Sequence, residues 1–112
     1  MLYPAPGTEG SKVGVFPTYG NFIGGKFVDP VKGEFADNPT PVTGKPFTKY
    51  AQSSEEDVEL ALDAAHKAAP AWGEASLAQR AAVLNKIADA VEANLEEIAI
   101  AECYDNGKAV RE

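Results

Sequence analysis

Asn21-Phe22-Ile23-Gly24-Gly25-Lys26-Phe27-Val28 is the stretch on which the reading of the fold turns. Two short β-prone runs flank a Gly-Gly pair, and glycine reaches the positive φ that a two-residue hairpin turn needs. A β-hairpin is expected here. Moving outward toward the C-terminus, Asp29-Pro30-Val31-Lys32-Gly33 reads as a turn and Glu34-Phe35-Ala36 as a short strand. Asp37 to Pro46 carries three prolines and reads as an extended loop ending in a turn, because each proline removes a ladder donor. Phe47 to Ala51 is the next expected strand. In the other direction, residues 1–20 read as an extended arm, either loose or laid across something larger. Pro4, Pro6, Gly7, Gly10, Gly14 and Pro17 interrupt it, and apolar residues are few.

The grammar changes near residue 50. Eight of the ten glycines lie at or before Gly44 and seven of the eight prolines at or before Pro46. Alanine and charge then dominate, so a loop-and-strand half gives way to a helical half. Ser53-Ser54-Glu55-Glu56-Asp57 is a start signal: Ser53 and Glu56 have capping-box spacing, and the acids suit the positive end of a helix dipole. Val58, Ala61, Leu62, Ala65 and Ala69 recur at helical steps. Pro70 is expected to end this helix or to lie just past it, with a corner at Trp72-Gly73. Ser76-Leu77-Ala78-Gln79 opens a second helix. Its stripe of Leu77, Ala81, Leu84, Ala88, Val91, Leu95 and Ile98 predicts a long buried face. Asn94 with Glu97 is a third start signal that breaks the stripe, and Gly107 is a stop in the left-handed conformation. The expected class is α+β: an arm, a hairpin, then two or three helices.

A chain of 112 residues is at most one small domain. Its net charge of −7 argues against nucleic acid and against an anionic membrane surface. The single cysteine, Cys103, cannot form an internal disulfide. No apolar run is long enough for a membrane span, and the opening residues lack the basic flank and apolar core of a secretory signal. These features predict a soluble, cytoplasmic protein.

Several segments, in order, resemble the aldehyde dehydrogenases. They are the hairpin Asn21–Val28, the turn Asn38-Pro39-Thr40-Pro41-Val42-Thr43-Gly44, the helix start Ser53–Val58 with Ala64-Ala65, and Trp72. Arg80, Leu84, Ile87-Ala88-Asp89 and Glu92 follow, then Glu102 with Asp105-Asn106-Gly107-Lys108. The set covers residues 21–112. Asn94-Leu95-Glu96 and Cys103 through Glu112 look most like the bacterial branch acting on acetaldehyde and other short aliphatic aldehydes. The resemblance implies a parent α/β fold with a Rossmann-like cofactor domain, oxidation of an aldehyde to its carboxylic acid with reduction of NAD, and a homo-oligomer. It also implies that residues 21–112 are the hairpin and outer helices of that cofactor-binding domain, incomplete here. The catalytic and cofactor-binding residues of the family match no position in this chain, which by itself is expected to be catalytically incompetent. The resemblance further implies a monovalent cation site using oxygens near Ala36, Asp37 and Asp105; the plainer reading of these is a loop aspartate and a helix-end aspartate.

Other candidates have plain readings. Cys103 falls in a predicted helix beside Glu102 and near Asp105, and acidic neighbours raise a thiol's pKa. Gly107-Lys108 lacks the earlier glycine and the following Ser or Thr of a phosphate loop. Gly24-Gly25 has no third glycine opening a helix. His66, the one histidine, has no second ligand near it in sequence and reads as a partly exposed surface residue. Arg80 reads as structural. Two further readings compete with the aldehyde dehydrogenase one: a stand-alone acidic module that binds a partner protein, and a small thiol enzyme using Cys103.

Overall fold

The computed structural model describes residues 3–110; Met1 and Leu2 of the arm, and Arg111 and Glu112 of the last family-like segment, lie outside them. The elements are β1 (Thr18–Tyr19), β2 (Asn21–Ile23), β3 (Lys26–Val28), β4 (Phe35–Pro39), β5 (Pro46–Ala51), α1 (Glu55–Glu74), α2 (Leu77–Ala93) and α3 (Leu95–Asn106). The class is α+β, as expected. β2 and β3 form the hairpin, with Phe22 opposite Phe27. Gly24 and Gly25 turn it at φ 61° and 83°, the two positive values a side chain would resist. The Phe22 and Phe27 rings meet edge to face at 5.1 Å.

A second sheet has the order β1-β5-β4, with β1 parallel to β5 and β4 antiparallel to it. Here the expected loop is shorter than the prolines suggested. β4 continues through Asp37 and Asn38 to Pro39. It is an edge strand, where a proline's missing donor costs no ladder bond, and the register shifts between Asn38 and Pro39. The return turn closes with Thr40 N–H to the Lys45 carbonyl at 3.1 Å and Gly44 N–H to the Thr40 carbonyl at 2.8 Å.

The arm is laid down rather than loose. Gly7 N–H donates to the Val13 carbonyl at 2.7 Å, folding residues 7–13 on themselves. Thr48 Oγ1 donates to the Phe16 carbonyl at 3.0 Å, and Lys12 Nζ reaches Glu96 Oε2 on α3 at 2.5 Å. Tyr3, Pro4, Lys12 and Ile100 line one hollow between the arm and α3, and Ile100, 5% exposed, is the one buried large aliphatic side chain among the described residues.

α1 is capped one residue later than its sequence suggests. Ser54 is the N-cap, and Asp57, not Glu56, reaches back to its N–H at 2.8 Å. Ser53 is committed elsewhere, its hydroxyl donating to Asn21 Oδ1 at 3.0 Å. The Asp57 carboxylate also takes the Val31 N–H at 2.9 Å and the Ser54 hydroxyl at 3.0 Å, which fixes the frame. These donors hold the Asp57 carboxyl below its ordinary 3.8, the Ser54 and Val31 N–H groups being the main causes.

Pro70 does not end α1; the helix runs through it to Glu74. A proline here forfeits the bond to the His66 carbonyl. His66 to Glu74 are all exposed, so water can take the freed acceptor. The corner falls at Ala75, φ −62° and ψ 138°. α2 begins as its sequence predicts: Gln79 N–H donates to Ser76 Oγ at 3.2 Å and Ser76 N–H to Gln79 Oε1 at 2.9 Å. Asn94 breaks the helix, and Gly107 ends α3 at φ 80°.

The stripe expected to be buried is not. Leu77, Leu84, Val91, Leu95 and Ile98 are all exposed, Leu77 by 78%. α1 packs on β2 and α2 on α3, with few further neighbours. The radius of gyration is 17.3 Å, against about 13 Å for a compact domain of this length. The accessible surface is 8506 Å², against about 5,900 Å² for a compact monomer of this mass. The periodicity correctly marks a face that wants cover, and these residues do not supply the cover.

Candidate functional site

The residues singled out for a cation lie where β4 and its turn meet the end of α3. The joint is built from both sides. Asn38 Nδ2 donates to Asp105 Oδ1 at 2.7 Å, and Thr40 Oγ1, 1% exposed, donates to the Tyr104 carbonyl. The Phe47 and Tyr104 rings pack edge to face at 5.4 Å. α3 delivers Tyr104 and Asp105 here because it is stopped at Gly107, whose left-handed turn lies against Pro41. Behind the joint is a cavity of about 370 Å³ between arm, β5 and α3, with Tyr19, Phe47, Tyr50, Glu102 and Asp105 in its wall.

Ala36, Asp37 and Asp105 do not meet through their side chains. Successive residues of a strand point to opposite faces. Asn38 faces Asp105, so Asp37 faces away, and its carboxylate lies 3.6 Å from Lys49 Nζ instead. Ala36 sits opposite Tyr50 in the ladder. Among the described residues no three His, Cys, Asp or Glu side chains gather as a metal cage.

The remaining candidates are dispersed. Cys103 is half-buried in α3 and free. His66 is exposed on α1. Neither Gly24-Gly25 nor Gly107-Lys108 forms a phosphate cradle: the first turns a hairpin and Gly107 closes a helix C-terminus, which presents carbonyls rather than N–H groups. No helix among them is long and apolar enough to cross a membrane.

Residues 27–112 match the model of the aldehyde dehydrogenase family. The chain belongs to that family. An aldehyde dehydrogenase of Deinococcus radiodurans is 60% identical over 110 residues, 98% of this chain and 21% of the relative. An acetaldehyde dehydrogenase of Pseudomonas aeruginosa is 54% identical over the whole chain and 22% of its own length. Among solved structures, an aldehyde dehydrogenase of Burkholderia cenocepacia described as putative superposes with a TM-score of 0.81 at 42% identity, over 83% of this chain and 19% of that one. PnpE in complex with nicotinamide adenine dinucleotide superposes at 0.77 and 39% identity, over 80% and 18%. The chain therefore spans about a fifth of the length of the curated relatives it matches.

In this aldehyde dehydrogenase segment, sequence reading placed Asp105 at a helix end but missed its partner. Asn38 and Thr40 stood out only as part of a family-like turn. The available signal was Asn38-Pro39-Thr40-Pro41 itself: Pro39 biases Asn38, and Pro41 biases Thr40, toward extended backbone, ready to dock on another element. Lys12 and its reach to Glu96 had no sequence signal, since they are joined only by the fold.

Proposed function

We propose that the protein built on this chain oxidises a short aliphatic aldehyde, such as acetaldehyde, to its carboxylic acid with reduction of NAD, acting in the cytoplasm as a homo-oligomer. In this reading residues 1–20 are an arm, and residues 21–112 are the hairpin and outer helices of a cofactor-binding domain. The single observation that carries it is the family match over residues 27–112. The dinucleotide in the PnpE structure supports the cofactor, and the name of the Pseudomonas aeruginosa relative supports the substrate class.

The reaction needs a thiolate to add to the carbonyl, a hydride acceptor and water to release the acid. NAD supplies the hydride acceptor when bound. None of these roles falls to residues 1–112, which act by scaffolding. A monovalent cation at the β4–α3 joint, held by main-chain oxygens of Ala36 and Asp37 and by Asp105, belongs to the same reading; hard cations take such oxygen ligands. The open shape of the chain favours this reading over a stand-alone binding module, because a self-sufficient module buries its own apolar faces.

The test is an assay of NADH formation by the full-length protein with acetaldehyde, beside the 112-residue chain alone. Turnover by the former and none by the latter is expected. A full-length protein inert toward aliphatic aldehydes with NAD sinks the proposed activity, and turnover by the short chain sinks the scaffolding role.

A further inference from the structure

We propose that residues 3–15 are a hinged flap over the cavity behind the β4–α3 joint, latched by the ion pair between Lys12 and Glu96, so that salt opens it. The segment is closed on itself. Among the described residues its main-chain hydrogen bonds all stay inside it: Gly7 to Val13 at 2.7 Å, and Thr8 to Ala5 and Ser11 to Thr8 at 3.1 Å. Gly7 is packed so tightly that a Cβ there would stand 2.6 Å from Val15 Cγ2. Main-chain attachment to the sheet begins only at Phe16 and Pro17, whose carbonyls accept from the Thr48 hydroxyl at 3.0 Å and the Lys49 N–H at 3.1 Å. Gly14 lies just before them, with open space where a side chain would be. A glycine so placed gives the backbone the freedom a hinge needs.

Toward α3 the flap has one side-chain hydrogen bond among the described residues, Lys12 Nζ to Glu96 Oε2 at 2.5 Å. Pro6, Val13, Gly14 and Val15 are its share of the cavity wall, and β5 and α3 supply much of the rest. Swinging the flap away therefore opens the cavity to water. The two latch side chains are 63% and 48% exposed. Exposed pairs of this kind shift an equilibrium by about fivefold at most, and salt screens them. The hydrogen bond and charge of Glu96, helped by Glu97, hold the Lys12 ammonium above its ordinary 10.5. The pair thus keeps its charge at neutral pH, and ionic strength is what works the latch.

The test is hydrogen–deuterium exchange, read peptide by peptide, on the full-length protein. A segment this short does not keep its turns once released, since even isolated hairpins are marginal in water. Exchange within residues 3–15 therefore reports the open flap. Raising salt from about 0.01 M to about 1 M shortens the screening length from about 30 Å to about 3 Å and should speed that exchange by up to about fivefold. Glu96→Gln should exchange fast at both salt concentrations. Lys12→Glu with Glu96→Lys rebuilds the pair with its signs reversed and should restore slow, salt-sensitive exchange. Amides of α3 should be equally protected throughout. Exchange in residues 3–15 that ignores salt overturns the proposal, and this arm needs no variant and so no assumption that one folds. A charge-swapped protein that stays fast while α3 remains protected overturns it too. Aldehyde turnover does not enter the readout, so the latch and the proposed activity stand or fall separately.

Discussion

The Asn38 side-chain amide donates to the Asp105 carboxylate at 2.7 Å across 67 positions of sequence, and this bond fastens the edge of the sheet to the last turn of α3. A hydrogen bond to a charged group is worth somewhat more than a neutral one, and exposure reduces it. Asn38→Ala and Asp105→Ala should each cost about 0.5–1.5 kcal/mol. The double variant should cost less than their sum, because both remove one interaction. A double-mutant cycle from urea melts reads this directly; full additivity would mean the bond contributes nothing.

Asp57 sets an acid limit. Its folded pKa lies below the ordinary 3.8 because the Ser54 and Val31 N–H groups hold the charged form. A depressed carboxylate pKa contributes stability that is fully present above the unfolded value. That stability is lost as pH falls below about 4 toward the folded value. Melting temperature should therefore drop in that window for the parent chain and change less for Asp57→Asn. The variant should also melt lower at neutral pH. Parallel pH profiles for the two proteins would exclude this role.

Gly107 should resist substitution. A Cβ there meets Pro41 Cγ at 3.0 Å, and φ is +80°. A left-handed residue with a side chain costs about 1–2 kcal/mol before any clash. Gly107→Ala is expected to lower stability by at least that much, whereas Gly73→Ala, where added bulk meets nothing within 4 Å and the site is helical, should be neutral or stabilising. Thermal melts of the pair settle it, and equal effects would contradict the capping role of Gly107.

Ser76→Ala removes the acceptor for Gln79 N–H and should cost about 0.5–2 kcal/mol. The loss should fall on α2, as faster amide exchange in its first turn. Exchange unchanged at Gln79 and Arg80 would argue that the cap is not holding the helix.

What the sequence made legible was local. The turn at Gly24-Gly25, the box at Ser76 and Gln79, the break at Asn94 and the stop at Gly107 are each decided within about four residues, and each stands where expected. The errors came where a distant group intervened. Ser53 and Ser54 are equivalent by spacing; Asn21 draws off the first and Val31 recruits Asp57 for the second. Pro70 was read by its usual effect, which an exposed final turn tolerates. At the candidate joint, the position of Asp105 was readable, but strand alternation, which turns Asp37 away toward Lys49, depended on β4 extending to Pro39. Burial of the α2 stripe failed for another reason: periodicity reports a demand for cover, not its source.

The parallel pairing of Thr18 and Tyr19 with Lys49 and Tyr50 encloses the hairpin, the β3–β4 turn and β4. Closing a loop costs entropy that grows with the length left flexible. Hairpin and helix formation are fast and local, so they shorten the effective loop before β1 can seat. The order of assembly follows: β2 with β3, then β4 with β5, and β1 last. By the same entropy the arm is the first part to lift when the structure breathes, so a protease should find residues 3–17 before it finds the sheet.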